Sequence, residues 1–506
     1  MLSKVKSFSL IGLKGVEIDV EVDIMNGKPQ TIVVGLPDST IKESIERVSS
    51  AISNSGFFMP QKKIVINLAP ADVKKEGSLF DLPIAVGILE SGGYLENKVT
   101  DFAMIGELSL DGKLRAVNGM LPLLISAREM GYNKIIIPSG NVAEASYIED
   151  MEVYAFDDLK TVINFLKGEK QAAPVSLVEW NKSNYDDSED ISRVLGQYKA
   201  KRALEIAVAG GHNIMLVGAP GCGKTMLAKC IPSILPDLTF EEALEITKIH
   251  SIAGELDKAR GVITKRPFRS PHHSASPVSM TGGGKNAKPG EISLAHNGVL
   301  FLDEMPEFSK SLLETLRQPL EDGSITVSRA NITVQYPAGF MLVASMNPCP
   351  CGNYGSRELE CKCSPSEIDR YLKKLSGPLL DRIDLKIDVD RVEYSELRRE
   401  SAEESSKVVK ERIDKARKIQ LERFRGCKNH TNAKMSSSQI KSYCNIDMAS
   451  ELVLKSAFDK FKLSARGYSR ILKVARTIAD LDGVDNIERK HIMEAISYRT
   501  IEKYEL

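Results

Sequence analysis

The chain has 506 residues, more than a single hydrophobic core usually organises, so we expect two or three domains. Its content of 42% hydrophobic and 27% charged residues is that of an ordinary globular protein. The 68 basic and 68 acidic side chains cancel, which excludes an argument for nucleic-acid binding from overall charge but leaves a local basic patch open.

The sequence contains neither a membrane span nor a secretion signal that we can recognise. No apolar run reaches the roughly 20 residues that cross a bilayer. The first residues alternate like a strand and lack a long apolar stretch followed by a small-residue cleavage site. Eight cysteines dispersed over a chain of this size also argue against a secreted disulfide scaffold. We therefore expect a cytoplasmic protein without membrane contact.

The first block of the chain, residues 1–167, alternates strand-like and helix-like stretches. Gln30–Val34 and Lys63–Leu68 are rich in β-branched residues and predict strands. Ser39–Ser53 carries apolar residues at helical spacing, and Asp38 or its neighbour Ser39 is placed to cap that helix.

Three further blocks follow. Residues 168–190 lose periodicity and are rich in Pro, Ser, Asn and acidic residues, so they predict a linker. Residues 191–390 contain the nucleotide-binding motifs described next. Residues 391–506 predict helices, of which Ser395–Phe424 is the longest charged one.

The clearest motif is a phosphate-binding loop. Gly218–Thr225 matches G-x-x-x-x-G-K-[ST] at every fixed position, after a strand-like run at Asn213–Gly218 and before a helix-like run. Glycines let backbone N–H groups approach phosphates, Lys224 would meet the β- and γ-phosphates, and Thr225 would ligate Mg²⁺. The sequence thus predicts a site for ATP and Mg²⁺. The loop residues predicted to bind nucleotide are Gly218, Ala219, Pro220, Gly221, Cys222, Gly223, Lys224, Thr225 and Met226.

Two carboxylates end a second apolar strand. Gly298–Leu302 runs into Asp303 and Glu304. Asp303 would join Thr225 at the Mg²⁺ ion, and Glu304 would polarise the attacking water. Solvated acids at the end of a strand are the simpler reading of this motif, but its pairing with the phosphate-binding loop favours a hydrolytic site.

Two more polar residues follow apolar runs. Phe340–Ser345 predicts a strand after which Asn347 could orient the attacking water. Arg382 stands next to another apolar run, and an arginine that reaches the γ-phosphate bound by a neighbouring subunit accelerates hydrolysis on the order of 10³–10⁵-fold. The alternative for Arg382 is an ion pair with Asp381 or Asp384.

The order of these motifs resembles that of the AAA+ superfamily of P-loop ATPases. Gly196 and Gln197, before the phosphate-binding loop, look like the stretch that cradles adenine there. Ser464–Arg470 opens a late helix and looks like the sensor-2 element. By register Arg466 is the better match to the sensor-2 arginine, and Arg470 is the reserve.

Further motifs resemble the magnesium-chelatase-like branch of that superfamily: Arg269–His273, Gly282–Gly284, Pro289–Gly298, and a predicted hairpin at Ser324–Pro337. In related motors such hairpins face a central pore and touch DNA, although solvated loop charges remain the alternative. The candidate basic contacts with DNA are Lys265, Arg266, Arg269, Lys285, Lys288 and Arg329.

Two adjacent histidines, His272 and His273, invite a metal interpretation. Neighbouring side chains normally point apart, so we expect loop hydrogen bonds rather than a shared metal.

The first block resembles the N-terminal domain of the ComM family, also called YifB, at Val34–Ser39, Asn67–Asp72 and Lys75–Pro83. The resemblance extends over essentially the whole chain. It implies a hexameric DNA translocase or helicase that promotes branch migration in homologous recombination during natural transformation. Branched or single-stranded DNA and recombination proteins would be its partners. The alternative is a magnesium-chelatase-like or protein-remodelling ATPase that does not act on DNA.

The same block is similar to the proteolytic domain of Lon at Ile105–Gly112 and Ala127–Pro138. The resemblances together imply an α/β fold: an AAA+ core, a helical C-terminal lid, and an N-terminal α+β Lon-protease-like domain of the ribosomal S5 domain 2-like type. Leu79 and Leu121 stand where Lon has its catalytic Ser and Lys, and Ser78 lies one position early. A serine without a base is a poor nucleophile, so we predict no peptidase activity.

Four cysteines, Cys349, Cys351, Cys361 and Cys363, form a C-x-C…C-x-C pattern. Four thiols within 15 residues could close a tetrahedral, structural Zn²⁺ site. Reduced thiols in a loop and an iron–sulfur cluster remain the alternatives.

Overall fold

The computed structural model describes most of the chain, which divides into two compact units. The N-terminal unit comprises Met1–Asn181 and Thr239–Thr264, and the C-terminal unit comprises Lys182–Leu238 and Lys265–Leu506. Each unit has its own hydrophobic core. The described residues are 2–71, 73, 75, 77–95, 99–180, 189–257, 261–284, 287–329, 332–356, 359–392, 403–427 and 430–499.

Strands and helices are numbered along the chain. The strands are β1 (Ser3–Ile11), β2 (Lys14–Met25), β3 (Gln30–Val34), β4 (Lys63–Ala69), β5 (Ala103–Met104), β6 (Glu107–Leu108), β7 (Leu114–Arg115), β8 (Lys134–Pro138), β9 (Glu152–Phe156), β10 (Ile214–Val217), β11 (Phe268–Arg269), β12 (Gly282–Gly283), β13 (Lys288–Pro289), β14 (Val299–Leu302), β15 (Ser324–Arg329), β16 (Ile332–Pro337), β17 (Met341–Met346) and β18 (Leu385–Asp388). The α-helices are α1 (Ser39–Asn54), α2 (Asp81–Ser91), α3 (Met120–Glu129), α4 (Val142–Ala145), α5 (Leu159–Lys167), α6 (Tyr198–Gly210), α7 (Lys224–Lys229), α8 (Ile231–Ile234), α9 (Phe240–Ala253), α10 (Pro277–Thr281), α11 (Glu291–Leu294), α12 (Lys310–Thr315), α13 (Arg317–Asp322), α14 (Pro365–Leu372), α15 (Gly377–Leu380), α16 (Ser406–Arg423), α17 (Ser437–Tyr443), α18 (Met448–Lys460), α19 (Ala465–Leu481) and α20 (Arg489–Ser497).

The N-terminal unit is built on a mixed sheet in the order β3-β4-β2-β1-β5-β8-β9. Strands β1 and β2 pair antiparallel, as do β2 and β4, whereas β5, β8 and β9 run parallel. Alternation along β2 buries Ile18, Val20 and Val22 on one face, against which α2 packs. The strands predicted at Gln30–Val34 and Lys63–Leu68 are confirmed, with β4 one residue longer.

Helix α1 confirms the prediction made from its apolar spacing. Ile41, Val48 and Ile52 are fully buried on one face of the helix. Asp38 is the cap, because its carboxylate accepts a hydrogen bond of 2.9 Å from the backbone N–H of Ile41.

Helix α9 belongs to the N-terminal unit, although the sequence boundaries placed it inside the 191–390 block. The Ser251 hydroxyl donates to the buried Glu144 carboxylate at 2.7 Å and accepts from the N–H of Gly119 at 3.0 Å. The Phe240 ring packs 5.7 Å from the ring of Trp180. These contacts join residues far apart in the sequence, so no local pattern indicates them.

The C-terminal unit contains an all-parallel sheet in the order β11-β14-β17-β10-β18. Its central strands are fully buried. Because the strands are parallel, the loops after β10, β14 and β17 meet at the same edge of the sheet. This edge carries the phosphate-binding loop, the acidic pair and Asn347.

Two antiparallel pairs accompany this sheet. Strands β15 and β16 form the hairpin predicted at Ser324–Pro337, and residues 330 and 331 between them lie outside the described part of the chain. Strands β12 and β13 pair through Gly282 and Pro289.

The C-terminal helices pack on the same core as the parallel sheet. Helices α16 and α19 both contact α6, so residues 391–506 do not form a separate compact unit. Within the predicted helix Ser395–Phe424, the structure describes α16 from Ser406 to Arg423, and the Ser406 backbone N–H donates to the Asp190 carboxylate at 3.1–3.2 Å. Residues 403–405 are not helical, and 393–402 lie outside the described residues. Among the described helices, none has the length and apolar character that crossing a membrane requires.

Candidate nucleotide-binding site

The phosphate-binding loop lies between β10 and α7, as predicted. Gly221 and Gly223 have φ of +78° and +94°, a backbone region that favours glycine. A Cβ on Gly218 would lie 2.3 Å from the Val389 carbonyl oxygen, so a larger residue would force the loop away from β18. The loop is therefore shaped by its glycines to present backbone N–H groups at the start of a helix.

Lys224 is buried beneath this loop, with 8% of its surface exposed. Its ammonium donates to the carbonyl oxygens of Gly218 and Ala219 at 2.8 and 2.9 Å. It also donates to the Asn347 side-chain oxygen at 3.2 Å. The ends of β10 and β17 thus meet around the Lys224 ammonium. This cation would also attract a phosphate group.

Thr225 and Asp303 face each other across the same edge. The Thr225 hydroxyl donates to Asp303 Oδ2 at 2.9 Å, so a hydroxyl and a carboxylate oxygen stand side by side. Oxygen ligands of this kind are those that Mg²⁺ prefers, and it usually keeps several waters and phosphate oxygens as well. The arrangement fits the predicted Mg²⁺ site.

Ser345 is a positioning residue that the sequence did not reveal. Its hydroxyl is fully buried at the end of β17 and donates to Asp303 Oδ1. The Ser345 hydroxyl oxygen also accepts a hydrogen bond of 3.1 Å from the backbone N–H of Glu304. Glu304 itself has φ of +52°, uncommon for a residue with a side chain, and its side chain is exposed. One serine therefore orients both members of the acidic pair.

Gly196 and Gln197 lie beside the phosphate-binding loop. Both have left-handed backbones, with φ of +62° and +54°. The Gln197 side-chain amide lies 3.5 Å from the Cys222 carbonyl oxygen. The Gly196 N–H donates to Glu403 Oε1 at 3.0 Å. The two residues thus lie next to the phosphate-binding loop and to the Glu403 carboxylate, which the sequence motifs did not indicate, and their contact with adenine stays a prediction.

Arg382 lies at the opposite end of the sheet. It precedes β18, which runs parallel to β10, and its carbonyl oxygen accepts the Asn213 side-chain amide at 2.9 Å. The predicted alternative partners are engaged elsewhere: Asp381 pairs with Arg499 and Asp384 with Arg470. Arg382 instead pairs with Glu321.

The two sensor-2 candidates lie at the same end as Arg382. Ser464 caps α19 by accepting the N–H of Gly467 at 3.1 Å, as the predicted helix start requires. Arg466 is 61% exposed in its side chain and lies 3.5 Å from Glu321. Arg470 is neutralised by the buried carboxylate of Asp384. Of the two, Arg466 is therefore the one available to an external anion.

Asp384 anchors α19 to the sheet. Its Oδ2 lies 3.3 Å from His212 Nδ1, and His212 Nε2 lies 2.8 Å from the Thr477 hydroxyl in α19. Burial by itself raises the pKa of Asp384, but the charge of Arg470 and the hydrogen bond with His212 outweigh it and leave that pKa well below its usual value. The carboxylate therefore stays ionised and joins α19 to the start of β10.

The four clustered cysteines converge after Asn347. Their sulfur atoms all lie within 4.8 Å of one another, and Cys349 and Cys351 approach to 3.4 Å. In the same loop, a Cβ on Gly352 would lie 2.3 Å from Pro220 Cδ. The cysteine loop thus touches the phosphate-binding loop directly.

The basic candidates for DNA contact separate into two groups. Arg266 donates to the carbonyl oxygens of Pro236 and Asn297, and Arg269 forms a bidentate pair with Glu291 at 2.6 and 2.7 Å. These internal bonds hold both guanidinium groups against neighbouring loops, and the contact of either group with DNA stays a prediction. Lys265 and Lys288 are exposed, whereas Lys285 and the side chain of Arg329 lie outside the described part of the structure.

The adjacent histidines require a correction. The rings of His272 and His273 lie side by side, with centroids 4.0 Å apart and planes inclined by 36°, instead of pointing apart. His272 Nδ1 bonds the Ser274 hydroxyl at 2.7 Å, so the expected loop hydrogen bond is present.

In the N-terminal unit, the residues at and near the Lon-like positions are hydrogen-bonded within the fold or buried in its core. The Ser78 hydroxyl donates to the Glu107 carboxylate, and Leu121 is fully buried in the core. The Lys75 ammonium, also fully buried, donates to the Pro70 carbonyl oxygen.

The C-terminal fold and its site define a class of protein. A parallel sheet presents a phosphate-binding loop, an acidic pair and an asparagine on successive strand tips, with a helical region behind, which makes this an AAA+-type P-loop ATPase fold. Three family profiles match the chain. They are magnesium chelatase, subunit ChlI, at residues 190–397; subunit ChlI of Mg-chelatase at 20–141; and magnesium chelatase, subunit ChlI C-terminal, at 403–499.

Whole-chain similarity then gives the family. The chain is 44% identical to the competence protein ComM of Haemophilus influenzae, over 99% of this chain and 98% of that protein. It is also 44% identical to the uncharacterized protein YifB of Escherichia coli, with the same coverage. The magnesium-chelatase 38 kDa subunit of Chlorobaculum parvum is 25% identical over 59% of this chain and 86% of its own. The chain belongs to the ComM/YifB family of magnesium-chelatase-like AAA+ proteins.

Proposed function

We propose that this protein is a cytoplasmic, ATP-hydrolysing DNA motor that forms a hexameric ring and drives branch migration of recombination intermediates during natural transformation. The observation that carries the hydrolytic part is the meeting of Lys224, Thr225, Asp303 and Asn347 at one edge of the sheet. The DNA part is supported by full-length similarity to a protein named for competence.

Each residue of the site has a defined role in this proposal. Lys224 neutralises charge on the β- and γ-phosphates, while Gly196 and Gln197 cradle the adenine. Thr225 and Asp303 hold Mg²⁺, which supplies positive charge to the phosphate oxygens. Glu304 polarises the water that attacks phosphorus, and Asn347 orients that water.

The ring supplies the remaining charge. Arg382 stands at the far end of the sheet from Lys224 in the same chain, so it is suited to the nucleotide of a neighbouring copy. Exposed Arg466 at the same end is the proposed sensor-2 residue. A head-to-tail contact that closes on itself makes a ring, and six copies are carried over from the family resemblance.

DNA contact is assigned to the loops of the C-terminal unit. Exposed Lys265 and Lys288, together with the hairpin β15–β16, offer the surface, and phosphate contacts of this kind bind without regard to sequence. Branched or single-stranded DNA would be the partner, with recombination proteins as further partners.

An ATPase assay with and without a four-way DNA junction tests the proposal. We expect the junction to stimulate ATP hydrolysis. The wild-type protein should also convert the junction to products, whereas Lys224→Ala should not. Lys288→Ala should reduce stimulation while leaving basal hydrolysis unchanged, and exposed Lys373→Ala is the matched control. Basal hydrolysis without any DNA response would refute the DNA motor and keep the ATPase.

A protein-remodelling ATPase is the second candidate. The observation that favours it is the match of three consecutive profiles to a subunit of magnesium chelatase. Such an enzyme would hydrolyse ATP at a rate indifferent to DNA and sensitive to a protein partner.

We also propose that the N-terminal unit has no peptidase activity. Two observations support this: the Ser78 hydroxyl donates to the Glu107 carboxylate, and a buried leucine, Leu121, stands where Lon has its lysine base. Ser78 therefore has no lysine at that position to activate it as a nucleophile. Casein hydrolysis that Ser78→Ala abolishes would overturn it.

The four-cysteine cluster is proposed to hold one structural Zn²⁺. Zinc bound tetrahedrally at about 2.3 Å from each sulfur separates the sulfurs by about 3.8 Å. The observed separations of 3.4 and 3.6 Å among Cys349, Cys351 and Cys361 are close to that spacing. Such a site would brace the loop that follows Asn347 and contacts Pro220. Four thiolate ligands would leave no open coordination position on the metal for chemistry.

A further inference from the structure

The carboxylate of Glu321 bridges Arg382 and Arg466, the two arginines proposed above to serve a neighbouring copy. One oxygen pairs with Arg382, and the other lies 3.5 Å from Arg466 Nη2. The partners differ in burial, because the Arg382 side chain is 8% exposed and that of Glu321 is 51% exposed. Glu321 can therefore move into solvent while Arg382 stays in place.

Glu321 supplies the counter-charge to the Arg382 guanidinium. Its Nη1 donates to the Pro378 carbonyl oxygen at 2.7 Å, whereas its buried Nε has no hydrogen-bond partner among the described residues. A buried guanidinium without a counter-charge is costly. The hydrogen bond from Arg382 lowers the pKa of Glu321, so the carboxylate is ionised at neutral pH.

An open pocket of about 390 Å³ adjoins this pair. Both acidic and basic side chains line it, and of the pair Glu321 is the more exposed member. An anion that enters to reach Arg382 meets the Glu321 carboxylate first, and two anions repel each other at one guanidinium. The lining residues are Glu314, Arg317, Gln318, Glu321, Asp322 and Arg382.

We propose that Glu321 is a positioning residue that keeps Arg382 neutralised until the triphosphate bound by a neighbouring copy displaces its carboxylate. The proposal rests on the proposed role of Arg382 across subunits. Displacement consumes part of the binding energy of ATP, but the contact between Arg382 and the γ-phosphate afterwards is the same. Glu321 therefore weakens ATP binding without changing the chemical step.

The KM and kcat for ATP of the full-length protein test this. Glu321→Gln keeps the shape and removes the competing anion, so we expect the KM to fall roughly five-fold, the value of a modest ion pair, with kcat within about two-fold of wild type. Asp322→Asn removes the same charge one residue away in the same pocket and should leave the KM unchanged. An unchanged KM in Glu321→Gln, or an equal fall in Asp322→Asn, overturns the proposal.

Two further variants make the outcome decisive. In a Glu304→Gln background, where hydrolysis is blocked, Glu321→Gln should tighten ATP binding only while Arg382 is present, and tightening that persists in Arg382→Ala contradicts the mechanism. If Glu321→Gln does not fold, Glu321→Asp shortens the side chain by one methylene and should lower the KM in the same direction. Full hydrolysis by Arg382→Ala alone would instead refute the proposed role of Arg382 across subunits.

Discussion

Lys224 and Arg382 lie at opposite ends of the same parallel sheet. Lys224 follows β10, whereas Arg382 precedes the neighbouring strand β18, and the registers Ile214 with Leu385 and Val217 with Asp388 show that the two strands run side by side. A strand of four residues is about 13 Å long, and this length separates the two cations within one chain. The separation favours the proposed arrangement, in which Arg382 serves the nucleotide of a neighbouring copy.

Mixing two inactive variants tests that arrangement. Lys224→Ala should lose nucleotide binding and Arg382→Ala should lose hydrolysis. An equimolar mixture should recover activity, up to about a quarter of wild type if subunits assort at random, because some interfaces combine an intact Lys224 with an intact Arg382. Mixed rings that stay as inactive as the single variants would contradict the arrangement.

Glu304→Gln should separate binding from hydrolysis. Loss of the carboxylate that polarises water should lower the hydrolysis rate about 10²- to 10⁴-fold, while ATP remains bound. Retained radioactive ATP and the rate of phosphate release measure the two effects. Glu307→Gln, in the turn that follows, is the control and should hydrolyse ATP normally. Normal turnover by Glu304→Gln would remove Glu304 from its assigned role.

Ser345→Ala should impair ATP hydrolysis, although Ser345 is not among the residues proposed to contact the nucleotide. The change removes the hydroxyl that holds Asp303 and the N–H of Glu304, each worth about 1–3 kcal/mol when left unsatisfied. We expect kcat to fall roughly ten-fold and the Mg²⁺ concentration for half-maximal rate to rise. Buried Ser293, whose hydroxyl has no partner among the described residues, is the control, and Ser293→Ala should behave as wild type. Equal effects of the two changes would argue for general destabilisation.

The cysteine cluster predicts a measurable metal content. Protein purified without chelator should contain about one zinc per chain, and Cys351→Ser should reduce that content and lower both the melting temperature and the ATPase rate. Cys427→Ser, at an exposed cysteine outside the cluster, should change none of these. Metal analysis that detects no zinc in the wild-type protein would exclude the site, and iron in its place would point to a cluster.

Lys386 predicts an unusual dependence of stability on pH. Burial in β18, and then the charge of Arg499, lower its pKa to about 8. Between about pH 8 and 10.5 the unfolded chain binds a proton that the folded chain does not, so the free energy of unfolding should rise with pH there. Lys386→Met should remove that rise and increase stability at pH 7 by about 2 kcal/mol. Denaturation curves across pH check this, with exposed Lys373→Met as the control, and parallel curves for Lys386→Met and wild type would contradict it.

Local motifs were sufficient for the elements that depend on neighbouring residues. The phosphate-binding loop, the strand before Asp303, helix α1 and the hairpin at Ser324–Pro337 each follow from residue types within a short window, because turns, caps and apolar periodicity act over one element. The same local reading missed the non-helical residues 403–405, after which a hydrogen bond to distant Asp190 accompanies the start of α16 at Ser406.

The sequence by itself determined that this protein has a P-loop, an acidic pair and a candidate trans-acting arginine, since those signals lie in consecutive residues. Only the tertiary structure decided which side chains support them. Ser345 reaches Asp303 from 42 residues away, and Arg466 approaches Glu321 from 145 residues away. Pairings of that separation depend on how strands and helices pack, which no local pattern of one sequence encodes.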